Sequence, residues 1–117
     1  MSPAKPRPGE DAQESLEHLR LELRRGCLAL AVLAALRSER YGYTLRKALA
    51  ERGLEIDEGT LYPLLRRLEA QGLLASEWRE QESRPKRFYR LSPDGKAVLQ
   101  ALTADWRRLG AALEEIL

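Results

Sequence analysis

The chain holds one cysteine and one histidine in 117 residues, and only 6% of its side chains are aromatic. A lone Cys27 has no partner for an internal disulfide, which removes the disulfide-stapled secreted scaffolds from consideration. With His18 the only imidazole, neither a nucleophile with its base nor a cluster of metal ligands can be assembled. Glycine-rich phosphate loops are missing too, and neighbouring carboxylates such as Glu114 and Glu115 project from different faces of a helix. An enzyme is therefore not expected, nor a metal or other cofactor; His18 reads as a solvated side chain and Cys27 as a small core hydrophobe. Long hydrophobic runs are lacking as well: the longest, Cys27 to Leu36, is about half of the roughly 20 residues a bilayer crossing needs. The chain does not open on a charged segment, an apolar run and a small-residue cleavage site, so a cytoplasmic protein with no membrane contact is expected.

What is present is a charged, leucine- and alanine-rich chain, 44% hydrophobic, sufficient for one modest core and one folded domain. A net charge of +2 is too small to attract nucleic acid by itself, so the placement of charge matters. Between Arg40 and Leu91 stand 11 basic and 8 acidic side chains, whereas residues 1–39 balance and residues 92–117 are acidic by one. Sixteen of the 20 basic residues are arginine, whose planar fork can grip a phosphate or a guanine edge through two parallel hydrogen bonds. A GC-rich genome would produce the same arginine excess.

Residues 1–12 (MSPAKPRPGEDA) join prolines and charge without a large apolar side chain, which predicts a flexible arm. Helical spacing begins at Leu16, Leu19 and Leu23 and continues through Leu30, Leu33 and Leu36, past a weak point at Gly26, as one long helix or two abutting ones. After YGY at 41–43, a second helix runs through Leu45, Ala48 and Leu49, with Thr44 as its cap and Gly53 as its end. A third carries Leu61, Leu64, Leu65 and Leu68 and stops at Gly72. Proline is tolerated where a helix's first amides have no partner, so Tyr62 and Pro63 are placed near that helix's beginning, with Asp57, Gly59 or Thr60 as cap.

From Leu74 to Leu91 the period shortens to two, and the polar tract EQESRPK at 80–86 reads as a hairpin tip, with Phe88 packed beneath the sheet. Helix, helix, helix, hairpin is the plan of a winged helix-turn-helix, a mainly α fold with a small β-hairpin, spanning residues 13–91. Ser92, Pro93 and Asp94 then start a final helix over residues 92–117. Its apolar residues, Leu99, Leu102, Trp106, Leu109, Leu113 and Ile116, recur in steps of three and four, a heptad seam. Such a seam needs a surface opposite it. Leu16, Leu19 and Leu23 of a second chain supply one, which predicts a homodimer; folding back onto the chain's own domain is the alternative.

In a helix-turn-helix the second helix lies in the major groove with its N-terminal residues toward base edges. Thr60, Tyr62 and Pro63 are thereby expected to form an exposed contact tip, with Arg66 and Arg67 one turn further, in reach of phosphate or guanine. Arg84, Lys86 and Arg87 suit the wing to backbone or minor-groove contact, opposed by Glu77, Glu80 and Glu82 close by. Trp106 is either an anchor of the dimer interface or, paired across its axis, a plate for a small aromatic compound. These features imply a regulator of double-stranded DNA. The low net charge and acidic wing flank leave a second reading, a winged-helix protein–protein interaction module without DNA binding.

The segments LRRGCLALAVLAAL, YGYTLRKAL, GTLYPLLRRLEAQGLL and RPKRFYRLSPDGKAVL together resemble the PadR-like transcriptional regulators from about Leu23 to the C-terminus. The resemblance implies a dimeric bacterial winged-helix repressor on a palindromic operator, whose C-terminal helix packs against the N-terminal helix of the other subunit. It puts the DNA-facing helix tip on Thr60, Tyr62 and Pro63, the helix arginines on Arg66 and Arg67, and the wing on Arg84 to Arg87. Two departures stand out: Glu80 to Ser83 replace the glycine-containing wing tip usual in relatives, and a single short C-terminal helix leaves little room for an enclosed effector pocket.

Overall fold

The computed structural model describes residues 9–117, which form α1 (Glu10–Ala35), β1 (Arg40–Tyr41), α2 (Gly42–Ala50), α3 (Glu58–Ala70), β2 (Leu74–Gln81), β3 (Arg84–Leu91) and α4 (Pro93–Ile116). α1 is one unbroken helix of 26 residues, and the space a side chain would take at Gly26 is empty, so that glycine costs only helix propensity. Helix starts at Glu10, inside the segment expected to be a flexible arm; residues 1–8 of that arm lie outside the described residues.

The core gathers apolar faces from every helix. Val32, Leu33 and Leu36 at the end of the first helical segment meet Leu45 and Leu49 of α2, then Leu61, Leu65 and Leu68 of α3, with Leu74, Tyr89 and Leu91 of the sheet closing one side. α2 begins before Thr44, which sits inside its first turn: the Thr44 hydroxyl donates to the Tyr41 carbonyl (2.9 Å) and accepts from the Tyr41 amide (3.1 Å). After α2 and α3, Gly53 (φ 87°) and Gly72 (φ 79°) take the left-handed conformation that turns the chain away, as their positions in the sequence suggest.

α4 starts at Pro93 behind a true cap: the Ser92 hydroxyl accepts from the Gly95 amide (2.9 Å) and donates to the Gly72 carbonyl (2.6 Å). A methyl group on Gly95 would run into the Leu73 carbonyl oxygen and lie 3.0 Å from its carbon, so this close approach of helix and backbone requires glycine. That docking corrects the expectation for Leu99. It is only 4% exposed and belongs to the monomer's own core, because α4 lies against the body for its first turns before the rest of its seam leaves it.

The sheet has three antiparallel strands in the order β1-β3-β2, one more than the hairpin expected. β1 is two residues long, too short to show a period. β2 and β3 pair Leu74 with Leu91, Ser76 with Tyr89, Trp78 with Arg87 and Gln81 with Arg84. In this register Tyr89 and Leu91 point to the helices, and Phe88 stands on the opposite face, half-buried against the edge of Tyr41 (centroids 5.2 Å) with the Arg79 guanidinium 4.9 Å from its centroid. Phe88 is thus not beneath the sheet; the phase belongs to Leu74 and Leu91, and a pleat cannot bury both sets. The turn consists of Glu82 (φ 53°) and Ser83 (φ 66°), both left-handed as a tight primed turn demands, which costs side-chain-bearing residues about 1–2 kcal/mol each.

Candidate nucleic-acid interface

α3 is positioned by the connector before it. The Asp57 carbonyl accepts from the amides of Thr60 (3.2 Å) and Leu61 (2.9 Å), and its carboxylate accepts from the Thr60 hydroxyl (2.7 Å). That hydroxyl, helped by backbone amides of the first turn, holds the Asp57 carboxyl below the ordinary value of 3.8. The helix start therefore carries its own anion. Arg46 fixes the same connector, donating to the Ile56 carbonyl (3.2 Å) and pairing with Glu58 (3.0 Å), while Arg24 of α1 donates to the Glu55 carbonyl.

Tyr62 and Pro63 are the fifth and sixth residues of α3, not its first. Tyr62 is half-buried and its ring lies on Gly42 of α2, where a methyl group would stand 2.9 Å from two ring carbons. It is not an exposed tip: one helical step of about 100° from Leu61 turns it toward α2. Pro63 is exposed and interior, so it deletes the bond its amide would have made to the Gly59 carbonyl, which stays on the solvent side. What α3 presents outward is a stripe of Gly59, Thr60, Pro63, Arg66, Arg67 and Ala70. Its small residues let a large surface approach the helix closely. Among the described residues neither Arg66 nor Arg67 has a carboxylate partner.

The pleat divides the wing's basic residues. Arg84 and Lys86 face away from the helices; Arg84 is exposed at the turn, and Lys86 lies over the Tyr41 ring (4.4 Å) with its ammonium 3.3 Å from the Tyr41 hydroxyl. Arg87 faces inward, donating to Glu69 of α3 (2.6 Å) and Ser76 of β2 (2.8 Å) and lying between the Trp78 and Tyr89 rings at 5.7 and 5.5 Å. Reading the wing as one basic tip missed this division, which follows from the two-residue period. Burial pushes the Tyr89 phenol above its ordinary value, so that hydroxyl stays protonated. A cleft of about 350 Å³ between α2, α3 and the wing is walled by Tyr41, Tyr62, Trp78 and Tyr89, with Arg66 at its edge.

Two exposed residues of α2, Tyr43 and Lys47, escaped the sequence reading. Their spacing of four, each two residues before a core position (Leu45 and Leu49), was the available signal for a second polar face on the helix-turn-helix. On the terminal helices, Leu16, Leu19 and Leu23 are exposed, as are Leu102, Trp106, Leu109, Leu113 and Ile116, with Trp106 at 55% and Leu109 at 62%. No helix among the described residues is long and apolar enough to cross a membrane.

Three helices packed on one core, the second and third joined by a short connector, with an antiparallel hairpin beside the third, define a winged helix-turn-helix. The chain belongs to the PadR-like family of transcriptional regulators, whose family model matches residues 30–101. It is 42% identical over 97 residues to Transcriptional regulator Rv3488 of Mycobacterium tuberculosis, covering 82% of this chain and 88% of that protein. Solved structures agree: a PadR family transcriptional regulator from Eggerthella lenta superposes with a TM-score of 0.82 at 45% identity, covering 90% of this chain and 94% of the other. A PadR-like transcription factor from Bacteroides fragilis gives 0.73 at 32%, covering 86% and 99%.

Proposed function

We propose that this transcriptional regulator is a dimeric, sequence-specific repressor of its own or neighbouring genes, each protomer laying the outer stripe of α3 into one major groove of a palindromic operator. The observation that carries this reading is the pair Arg66 and Arg67, without carboxylate partners among the described residues, on a stripe otherwise made of small residues. Thr60 and Pro63 line the approach; Arg84 and Lys86 reach the flanking backbone, and Tyr43 and Lys47 meet phosphates from α2. Tyr62 supports the stripe from behind. The exposed leucines of α1 and α4 pair between protomers, so half-sites lie about one helical turn, roughly 10 base pairs, apart. Trp106, in that seam, is where a flat aromatic effector would stack to relieve repression.

The test is binding of the promoter DNA upstream of the protein's own gene over a series of salt concentrations. Thr60→Ala, Arg66→Ala and Arg67→Ala combined should leave circular dichroism unchanged, weaken binding at least about a hundredfold and lower the salt slope by about two. Unchanged affinity in a folded triple variant overturns the groove placement.

A further inference from the structure

Arg87, Glu69 and Ser76 form a three-way contact that nothing in a generic DNA grip requires. The Arg87 guanidinium donates through one amine to a Glu69 oxygen (2.6 Å) and through Nε to the Ser76 hydroxyl (2.8 Å), and that hydroxyl in turn donates to the other Glu69 oxygen. The three residues sit on three elements, β3, α3 and β2, so the cluster joins the third helix to both strands of the wing. Both charged partners are partly shielded, at 25% and 36% side-chain exposure, and the Trp78 and Tyr89 rings flank the guanidinium. A shielded, two-pronged contact holds its geometry better than an exposed ion pair, because fewer alternative rotamers and less water compete for it.

We infer that Glu69 and Arg87 are positioning residues: a strut, with Ser76 as its middle link, that fixes the angle between recognition helix and wing and so sets the distance between the groove contacts and the contacts of Arg84 and Lys86. This rests on the DNA-binding reading above. Glu69 is the informative member. It is an anion beside a surface that is to meet a polyanion. Were it a mere neighbour, removing its charge would strengthen DNA binding; as a strut, removing it frees the wing and weakens binding. Arg87, spent on the strut, adds no phosphate contact of its own.

The experiment measures promoter affinity and salt slope for Glu69→Gln, Arg87→Gln and the double variant, with amide hydrogen exchange of β2 and β3 recorded on each protein. The strut predicts a loss of roughly tenfold for each single variant, about the same loss for the double, an unaltered salt slope and faster exchange along the wing. Ser76→Ala, which leaves every charge in place, should give a smaller change in the same direction and serves if a charged-residue variant fails to fold. Tighter or unchanged binding by Glu69→Gln, or a salt slope lowered by about one in Arg87→Gln, overturns the strut. Should the wild-type protein show no salt-sensitive DNA binding at all, the DNA reading fails separately. The strut is then decided by exchange alone: faster wing exchange in both single variants sustains it, and unchanged exchange overturns it.

Discussion

Leucine meets opposite fates in the two ends of each terminal helix. Val32, Leu33 and Leu36, where α1 ends, are shut away from solvent, whereas Leu19 and Leu23 of the same helix are 61% and 72% exposed. α4 mirrors this, with Leu99 buried against the body and Leu109 and Leu113 in the open. Apart from Val32 the side chains are all leucine, at helical spacing in both regions. The difference lies in what stands opposite: between Leu28 and Leu99 the body closes a core from several elements, and beyond it each helix runs past the edge of its own domain. The exposed apolar side chains on these two helices leave area uncovered that would gain about 1.5–3 kcal/mol for each side chain fully buried, which is what the proposed pairing of protomers draws on.

The contrast breaks most visibly in the arms. Trp106→Ser with Leu109→Ser should weaken self-association at least roughly a thousandfold, read by sedimentation equilibrium, while the body keeps its helical signal. A folded variant with unchanged association would mean that the seam is not the dimer surface. Glycine sharpens the contrast next. Gly95→Ala, which drives a methyl into the Leu73 carbonyl, should cost the body about 2–4 kcal/mol in urea unfolding at fixed protein concentration. Gly26→Ala, with open space around it, should instead add up to about 1 kcal/mol; a loss there would put a partner's backbone over that stretch of α1. Within the body, Glu82→Asn with Ser83→Gly should add about 1 kcal/mol by relieving two left-handed residues, read as a higher denaturation midpoint. The smallest effect is Asp57's. Its carboxyl is held below the ordinary 3.8, so the stability it gives is present above that pH and fades as pH falls through the lower folded value. Acid unfolding of Asp57→Asn should lack that component.

Much of the body was legible because its signals are local. Leu61, Leu64, Leu65 and Leu68 recur at helical spacing, Ser92 and Pro93 announce a helix start, and Gly53 and Gly72 mark turns; each was visible within a few residues of sequence and stands in the structure. The candidate site was legible to the level of the element. Arg66, Arg67 and Arg84 are exposed, as their patterns implied. Tyr62 and Arg87 were misjudged because nothing near them in sequence names their neighbours. Gly42 lies twenty positions before Tyr62, and Glu69 eighteen before Arg87. The short β1 escaped for the same reason: Arg40 and Tyr41 are a strand only because Tyr89 and Phe88 pair with them.

By itself the sequence determined the order of the four helices and the β2–β3 hairpin, the family and the apolar faces of the helices, since periodicity, caps and turn residues act over one or two helical turns. The tertiary structure decided which faces close on each other: it took Leu99 into the core, laid Tyr62 on Gly42 and tied Arg87 to Glu69. Those outcomes depend on contacts between residues far apart in the chain, and a side chain's burial, charge partner and freedom to meet a ligand are set by such contacts and not by its own chemistry.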